Sequence, residues 1–253
     1  MSYLTNPYRY VTDDCTYRSA PNFPNFGSTA WVTTGDFAVS TIMEANCDVG
    51  HSNNGSSAYL DLGASFVSNT EWVLRWEWRV DAWQGTATSG NATVSFGLYS
   101  DYPSAGSDSA GDGTYSSEQE AALIFLANAG GSGGGSATYF QSLATKGMNT
   151  YYNGDSLNPK RANLLENFSP AIYYMTIQRF SDDTIDFTYS GNSDYVSAPT
   201  ASYSLTDTEW LPSDNSLRYL KSEAWQMDTY TASGVDSSIY NITFANDSSE
   251  ACS

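Results

Sequence analysis

The run Trp72-Val73-Leu74-Arg75-Trp76-Glu77-Trp78-Arg79-Val80 constrains this chain more than any other stretch. Side chains on a strand point alternately to opposite faces, so Leu74, Trp76, Trp78 and Val80 share one side and Arg75, Glu77 and Arg79 the other. A helix would scatter both sets around its circumference. Bulky apolar groups at period two fit a pleated surface with one face buried against a second layer. The run is expected to be a central strand of a β-sandwich, with its charged face as the place to look for function.

The rest of the chain supplies partners of the same kind. Residues 1–30, with Pro21-Asn22-Phe23-Pro24-Asn25-Phe26-Gly27, read as an irregular arm packed on the sandwich. Residues 31–245 read as one jelly-roll domain and 246–253 as a polar tail. Short strands are expected at Trp31 to Thr34, Phe37 to Glu44 and Ala58 to Gly63. Ala82 to Asn91 reads as a Gly/Thr loop before the strand Thr93 to Tyr99, and residues 100–118 as a long polar loop. Ala121 to Ala127 is apolar on both faces, which fits a fully covered strand or a subunit contact. Gly130 to Ser136 is expected to be a hairpin loop before the strand Ala137 to Leu143. Asn153 to Pro170 reads as loop with one helical turn around Ala162 to Glu166. Ile172 to Phe180 and Thr184 to Tyr189, joined by Ser181-Asp182-Asp183, form the clearest hairpin. Leu217 to Gln226 and Ile239 to Phe244 close the fold, with Tyr240, Ile242 and Phe244 inward. Roughly a dozen strands without repeats predict an all-β, two-sheet antiparallel sandwich of jelly-roll type.

Charge and cysteine usage bound the partners. Aromatic and charged residues each make up 15% of the chain, so surface polarity comes largely from Ser, Thr, Asn and Gly. A formal net charge of −18 argues against nucleic acid and anionic membranes, since phosphate binding needs surplus Lys and Arg. Solubility or salty surroundings explain the acidity; divalent-cation binding is the other reading. Asp101, Asp108 and Asp112 are weak candidates for Ca2+ in the long loop, although they lack EF-hand spacing and a solvated acidic loop is the stronger reading. No cofactor is required by any motif. Cys15, Cys47 and Cys252 are too few and too far apart for a zinc cluster. In an oxidising compartment Cys15 with Cys47 is the preferred pair; a link between the termini through Cys252 is the other. Met1 to Pro7 shows no basic region followed by an apolar run, so no signal peptide is expected. No run of about 18 apolar residues exists, so membrane insertion is not expected. A protein placed outside the cell by another route, such as assembly into a virion, fits these features.

Four segments carry a family resemblance across about residues 30–245: Ala58-Tyr59-Leu60-Asp61-Leu62-Gly63, Trp72-Val73-Leu74-Arg75-Trp76, Tyr173-Tyr174-Met175-Thr176-Ile177-Gln178-Arg179, and Gly234-Val235-Asp236 through Phe244. Their order resembles the concanavalin A-like lectin and glucanase superfamily, including laminin-G-like modules of adhesins and viral fibre proteins. The resemblance implies a sandwich with one curved face that is used to bind glycans. A second likeness is narrower. Arg75-Trp76-Glu77-Trp78-Arg79 is similar to the Arg-x-Glu-x-Arg strand of jelly-roll alginate lyases, and Tyr219-Leu220-Lys221-Ser222-Glu223-Ala224-Trp225-Gln226 resembles their Tyr-x-Lys-x-Gly-x-Tyr-x-Gln strand. That likeness implies two strands lying side by side on the concave face. Here Glu223 replaces the Gly, and the family's Gln-x-His strand has no match near residues 119–127. The lone histidine, His51, lies in a turn before the first motif, and a lyase needs a base at the C5 proton.

The candidate carbohydrate-binding residues are Arg75, Glu77, Arg79, Gln178, Tyr219, Lys221 and Trp225, expected to gather on one outward surface. Arg and Lys there would fork onto hydroxyl or carboxylate oxygens, and Trp225 would offer a ring face to a sugar. The plain structural readings are an ion-pair ladder for Glu77 and cover for the sheet edge for Trp225. Two arginines flanking Glu77 favour its ionised form, which disfavours an acid role. The paired carboxylates of a retaining glycosidase, about 5 Å apart, have no counterpart run. No catalytic residue is assigned. The expected function is a non-catalytic carbohydrate-binding or attachment module, extracellular or on a cell or virion surface, with a glycan or cell-surface polysaccharide as partner. Its structural variant is a particle protein or homo-oligomer; the enzymatic alternative is a polyuronate lyase.

Overall fold

The computed structural model describes residues 10–13, 31–34, 38–39, 43–44, 56–64, 66–85, 91–100, 119–128, 137–146, 163–166, 171–182, 184–190, 201–206, 217–227 and 233–245. Among them the regular elements are fifteen strands: β1 (Tyr10–Asp13), β2 (Val32–Thr34), β3 (Ala38–Val39), β4 (Met43–Glu44), β5 (Ser56–Asp61), β6 (Trp72–Gly85), β7 (Asn91–Tyr99), β8 (Gln119–Asn128), β9 (Ala137–Lys146), β10 (Asn163–Glu166), β11 (Ala171–Arg179), β12 (Thr184–Ser190), β13 (Ala201–Thr206), β14 (Tyr219–Met227) and β15 (Ser233–Ala245). They form two antiparallel sheets. Sheet A runs β13-β12-β11-β6-β15-β4-β3, with β1 also on β15, and sheet B runs β10-β9-β8-β7-β14-β5-β2. The expected two-sheet antiparallel sandwich is the observed fold.

The core lies between the sheets, and strand parity builds it. From β6, Trp72, Leu74, Trp76, Trp78 and Val80 are at most 1% exposed and join one apolar cluster. Their register partners on β11 put Tyr173, Met175 and Ile177 on the same face. Sheet B answers with Leu60, Val94, Phe96, Leu98, Leu123 and Leu220. Trp76 meets Phe96 across the gap with ring centroids 5.0 Å apart, a tilted arrangement that suits the ring quadrupoles. Gly97 lets β7 and β8 approach closely, because a Cβ there would stand 2.2 Å from the Ala121 carbonyl oxygen and 2.5 Å from the Ala122 Cα.

Local chemistry fixes the connections. In the β11–β12 hairpin, Asp182 Oδ1 accepts from the Thr184 N–H at 3.0 Å and the Phe180 N–H donates to the Thr184 carbonyl at 2.9 Å, an Asx-type turn. β14 pairs with both β5 and β7, and the chain is lashed to their ends at the residue just before β14 begins. The Arg218 N–H donates to the Tyr99 carbonyl at 2.8 Å and the Leu62 N–H to the Arg218 carbonyl at 3.0 Å.

Several local expectations are corrected. The arm read as irregular contributes β1, which pairs with the end of β15 in the register Tyr10↔Ala245 to Asp13↔Ile242. Residues 82–85 are strand rather than loop, since β15 continues the ladder to Ser233↔Gly85. Around Ala162 to Glu166 there is an edge strand, β10, in place of a helical turn: β9 offers an open ladder, and tertiary pairing overrides the helix propensity of Leu and Glu. Tyr240 does not share the register of Ile242 and Phe244. β15 places three steps from Tyr240 to Thr243 against two on β6 from Glu77 to Arg75, and Asn241 absorbs the extra residue at φ 53°. Ile239, Ile242 and Phe244 are the core residues there.

Candidate functional site

The expected gathering of seven residues on one surface does not occur. Arg75, Glu77 and Arg79 lie on β6 and Gln178 on β11, all in sheet A, whereas Tyr219, Lys221 and Trp225 lie on β14 in sheet B. The neighbours of β6 are β11 and β15, and those of β14 are β7 and β5. The side-by-side arrangement implied by the alginate-lyase likeness is therefore absent. Alternation dictates which face of its own sheet a residue occupies and says nothing about which sheet that is. In a sandwich the two polar faces point away from one another.

On the outer face of sheet A the predicted residues are held locally. Arg75 is only 9% exposed, beside the register partners Thr176 and Thr243. Glu77 Oε1 accepts from Asn241 Nδ2 at 2.8 Å, so the residue that absorbs the β15 bulge also anchors this carboxylate. Arg79 Nε donates to Asp81 Oδ1 at 2.6 Å on the exposed surface. Gln178 is half-buried opposite Val73 and Asp186.

Sheet B presents a denser constellation on its outer face. Tyr219 stands in register between Asp61 and Tyr99, Lys221 between Tyr59 and Gly97, and Glu223 between Ser57 and Ser95. Lys221 is fully buried and Glu223 nearly so, with Lys221 Nζ paired to Glu223 Oε1. The same ammonium stands over the Tyr99 ring at 4.4 Å from its centroid, where the π-face is electronegative. The Tyr99 hydroxyl shares a buried hydrogen bond of 2.8 Å with Ser95 Oγ, and Ser222 Oγ donates to the Ser95 carbonyl at 2.7 Å. Lys221 is thus part of the packed layer under the face rather than an open contact.

Towards the end where β14 begins, the groups reach solvent. Arg218 grips Asp61 in a bidentate fork, Nε to Oδ1 at 2.7 Å and Nη2 to Oδ2 at 2.6 Å, with side chains 40% and 29% exposed. The guanidinium carbon lies 5.1 Å from the Tyr219 ring centroid, and Tyr59 meets Tyr219 edge-on at 5.9 Å. The Arg218 hydrogen bond, followed by the Gly63 N–H at 2.8 Å, holds the Asp61 carboxyl below its ordinary pKa. The partly exposed Tyr59 ring and the Arg218 guanidinium can pack on the C–H face of a pyranose and hydrogen-bond its hydroxyls, while Tyr219, 7% exposed, supports both from beneath.

Sequence reasoning named Tyr219 and Lys221 here but missed Tyr59, Asp61, Tyr99 and Arg218. The alternation Ala58-Tyr59-Leu60-Asp61-Leu62 was the available signal, since Ala58, Leu60 and Leu62 are core and Tyr59 and Asp61 share the other parity. Trp225 stands opposite Thr93 in the ladder, and its side chain lies outside the described residues. Asp101, Asp108, Asp112, His51 and the three cysteines also lie outside them. Among the described residues no group of three or more His, Cys, Asp and Glu is placed to hold a metal ion, and no helix is long and apolar enough to cross a membrane.

No protein-family model and no curated protein matches the sequence. Solved structures do match over nearly the whole chain. The potassium-bound carbohydrate recognition domain of Emp46p superposes with a TM-score of 0.57 at 9% identity, covering 96% of this chain and 98% of that one. The carbohydrate recognition domain of Emp47p gives 0.54 at 12% identity, covering 95% and 96%. Lectin UEA-II complexed with galactose gives 0.50 at 12% identity, covering 93% and 97%. With its two stacked antiparallel sheets, the chain has the concanavalin A-like jelly-roll fold of these lectin domains.

Proposed function

We propose that this protein is a non-catalytic carbohydrate-binding module that uses the outer face of sheet B, at the end where β14 begins. The observation that carries this reading is the meeting of the Tyr59 and Tyr219 rings with the half-exposed Arg218–Asp61 fork. Such a site supplies the partly exposed Tyr59 ring for pyranose C–H groups beside fixed donors and acceptors for hydroxyls, with the buried Tyr219 ring beneath. The shared fold with carbohydrate recognition domains and with a galactose-bound lectin supports the same reading. Binding without turnover is favoured because the two strands resembling a lyase site stand in different sheets. The acidic, Ser/Thr/Asn-rich composition supports a role in attachment on the outside of a cell or a virion, with a glycan as partner.

Titration of the whole chain with galactose-containing oligosaccharides, preceded by a glycan-array survey, tests the proposal. Saturable binding is expected, weakened about tenfold, or ~1.4 kcal/mol, by Tyr59→Ala with an unchanged melting temperature. A flat array overturns the reading, and undiminished affinity in folded Tyr59→Ala shows that the sugar sits elsewhere.

A further inference from the structure

Among the described residues, Lys221 and Arg218 on the sheet B face are already committed to carboxylates of the chain itself. Lys221 is fully buried against Glu223, and Arg218 holds Asp61 through both arms of its fork. Of the two pairs only Arg218–Asp61 is open enough to meet a ligand. A guanidinium fork of this kind is the usual receptor for the carboxylate of a uronic acid, because two parallel N–H donors match two oxygens. Here Asp61 occupies that position from within. A uronate approaching Arg218 would have to displace Asp61 or place a second negative charge beside it, on a chain whose formal net charge is already −18.

We propose that Asp61 is a specificity-determining residue, an internal carboxylate that fills the Arg218 fork and makes the sheet B face prefer neutral sugars over polyuronates. This rests on the carbohydrate-binding reading above for its site, but it can be tested separately. Three features of the fork favour the assignment. Arg218 is oriented by the Tyr219 ring beneath it, so the guanidinium keeps its place when the carboxylate is removed. Asp61 is further held by the Gly63 N–H on Oδ1, a bond that an Asn carbonyl can also accept. The backbone of Arg218 is tied to Tyr99 and Leu62, which fixes the base of its side chain. Asp61→Asn therefore keeps the bonds to Oδ1 but takes the anion away from Arg218 Nη2, which turns this arm of a preformed fork towards an incoming carboxylate instead of collapsing the site.

The whole protein and its Asp61→Asn variant are titrated with a neutral galacto-oligosaccharide and with an oligouronate of equal length, at low and high salt. The natural chain is expected to favour the neutral oligomer at least about tenfold, the step that a charge-assisted fork commonly supplies. Asp61→Asn is expected to gain uronate affinity by a similar factor, and the gain should vanish at high salt. The proposal is overturned if the natural chain takes the oligouronate as well as the neutral oligomer. It is also overturned if folded Asp61→Asn gains nothing. Asp61→Ser provides the same test if Asn does not fold, and if neither folds the comparison on the natural chain decides. If the natural chain binds neither oligomer while Asp61→Asn acquires salt-sensitive uronate binding, the natural chain's carbohydrate-binding reading falls together with the preference for neutral sugars, and only the exclusion of uronates by Asp61 stands.

Discussion

Replacing Lys221 by Met gives the sharpest test of how this sandwich holds charge in its packed layers. Lys221 has no exposed surface, Glu223 is 8% exposed, and the two are paired along one strand beside the Tyr99 ring. Desolvating two ions is costly, so the pair contributes little net stability. Removing one partner is different, because Glu223 then loses the cation paired to it in a buried place, a change that costs about 3–5 kcal/mol. For a domain of 253 residues each kcal/mol is worth about 2–4 °C, so Lys221→Met should melt about 6–20 °C lower. Adding Glu223→Met removes the stranded charge and should return stability to within about 1 kcal/mol of the natural chain or above it. Denaturant unfolding followed by tryptophan fluorescence reads this directly, since Trp72, Trp76 and Trp78 are wholly buried. The reasoning is refuted if the single variant loses less than about 1 kcal/mol, or if the second substitution merely adds a further loss.

Trp76→Ala should cost about 3–5 kcal/mol, because its ring fills the gap against Phe96. Arg79→Ala, three positions away on the opposite face and salt-bridged to Asp81 on the exposed surface, should change stability by about 0–1 kcal/mol; equal losses in the two denaturant midpoints would contradict the inward and outward assignment. Gly97→Ala should lose about 1–3 kcal/mol, since the new methyl meets the backbone of Ala121 and Ala122, and a midpoint like that of the natural chain would show that β7 and β8 can separate freely. Burial of Tyr189 raises its phenol above the ordinary value of 10.0. The unfolded chain then loses that proton first as pH rises, so the contribution is fully present below pH about 10 and is lost as pH climbs through the higher folded value. Absorbance titration of the phenolates together with unfolding midpoints at alkaline pH checks this, and a single titration step with flat midpoints would refute it. The lowered Asp61 acts at the other end of the scale. Its contribution is present above the ordinary carboxylate range and is lost as pH falls through the depressed folded value, so Asp61→Asn should flatten the acid limb of the stability curve.

What the sequence made legible was whatever a single strand carries in itself. The alternation of Trp72 to Val80 states which side chains enter the core, and the Ile172–Tyr189 segment states its own hairpin, because both signals are read between residues a few positions apart. Even parity has a limit where the backbone adds a residue. Tyr240 and Ile242 are two apart and look alike in pattern, yet Asn241 at positive φ takes up the step that separates their registers. Sheet membership is a different kind of information. Arg75 and Lys221 both stand at outward-facing positions of long strands, and nothing within either strand says that β6 finds β11 and β15 while β14 finds β5 and β7. Only the pairing decides it, and the pairing is set by the global match of apolar faces. Arg218 and Asp61 illustrate the cost of that gap, for each is visible as an ordinary polar residue, separated from the other by 157 positions. Their fork exists because β14 lies antiparallel to β5 with Tyr219 opposite Asp61, which delivers the residue before the strand to the carboxylate at the strand's end. A ligand-facing site assembled by pairing rather than by local pattern is therefore best sought at strand termini that the sheet order makes neighbours, and in this chain that search leads to the start of β14.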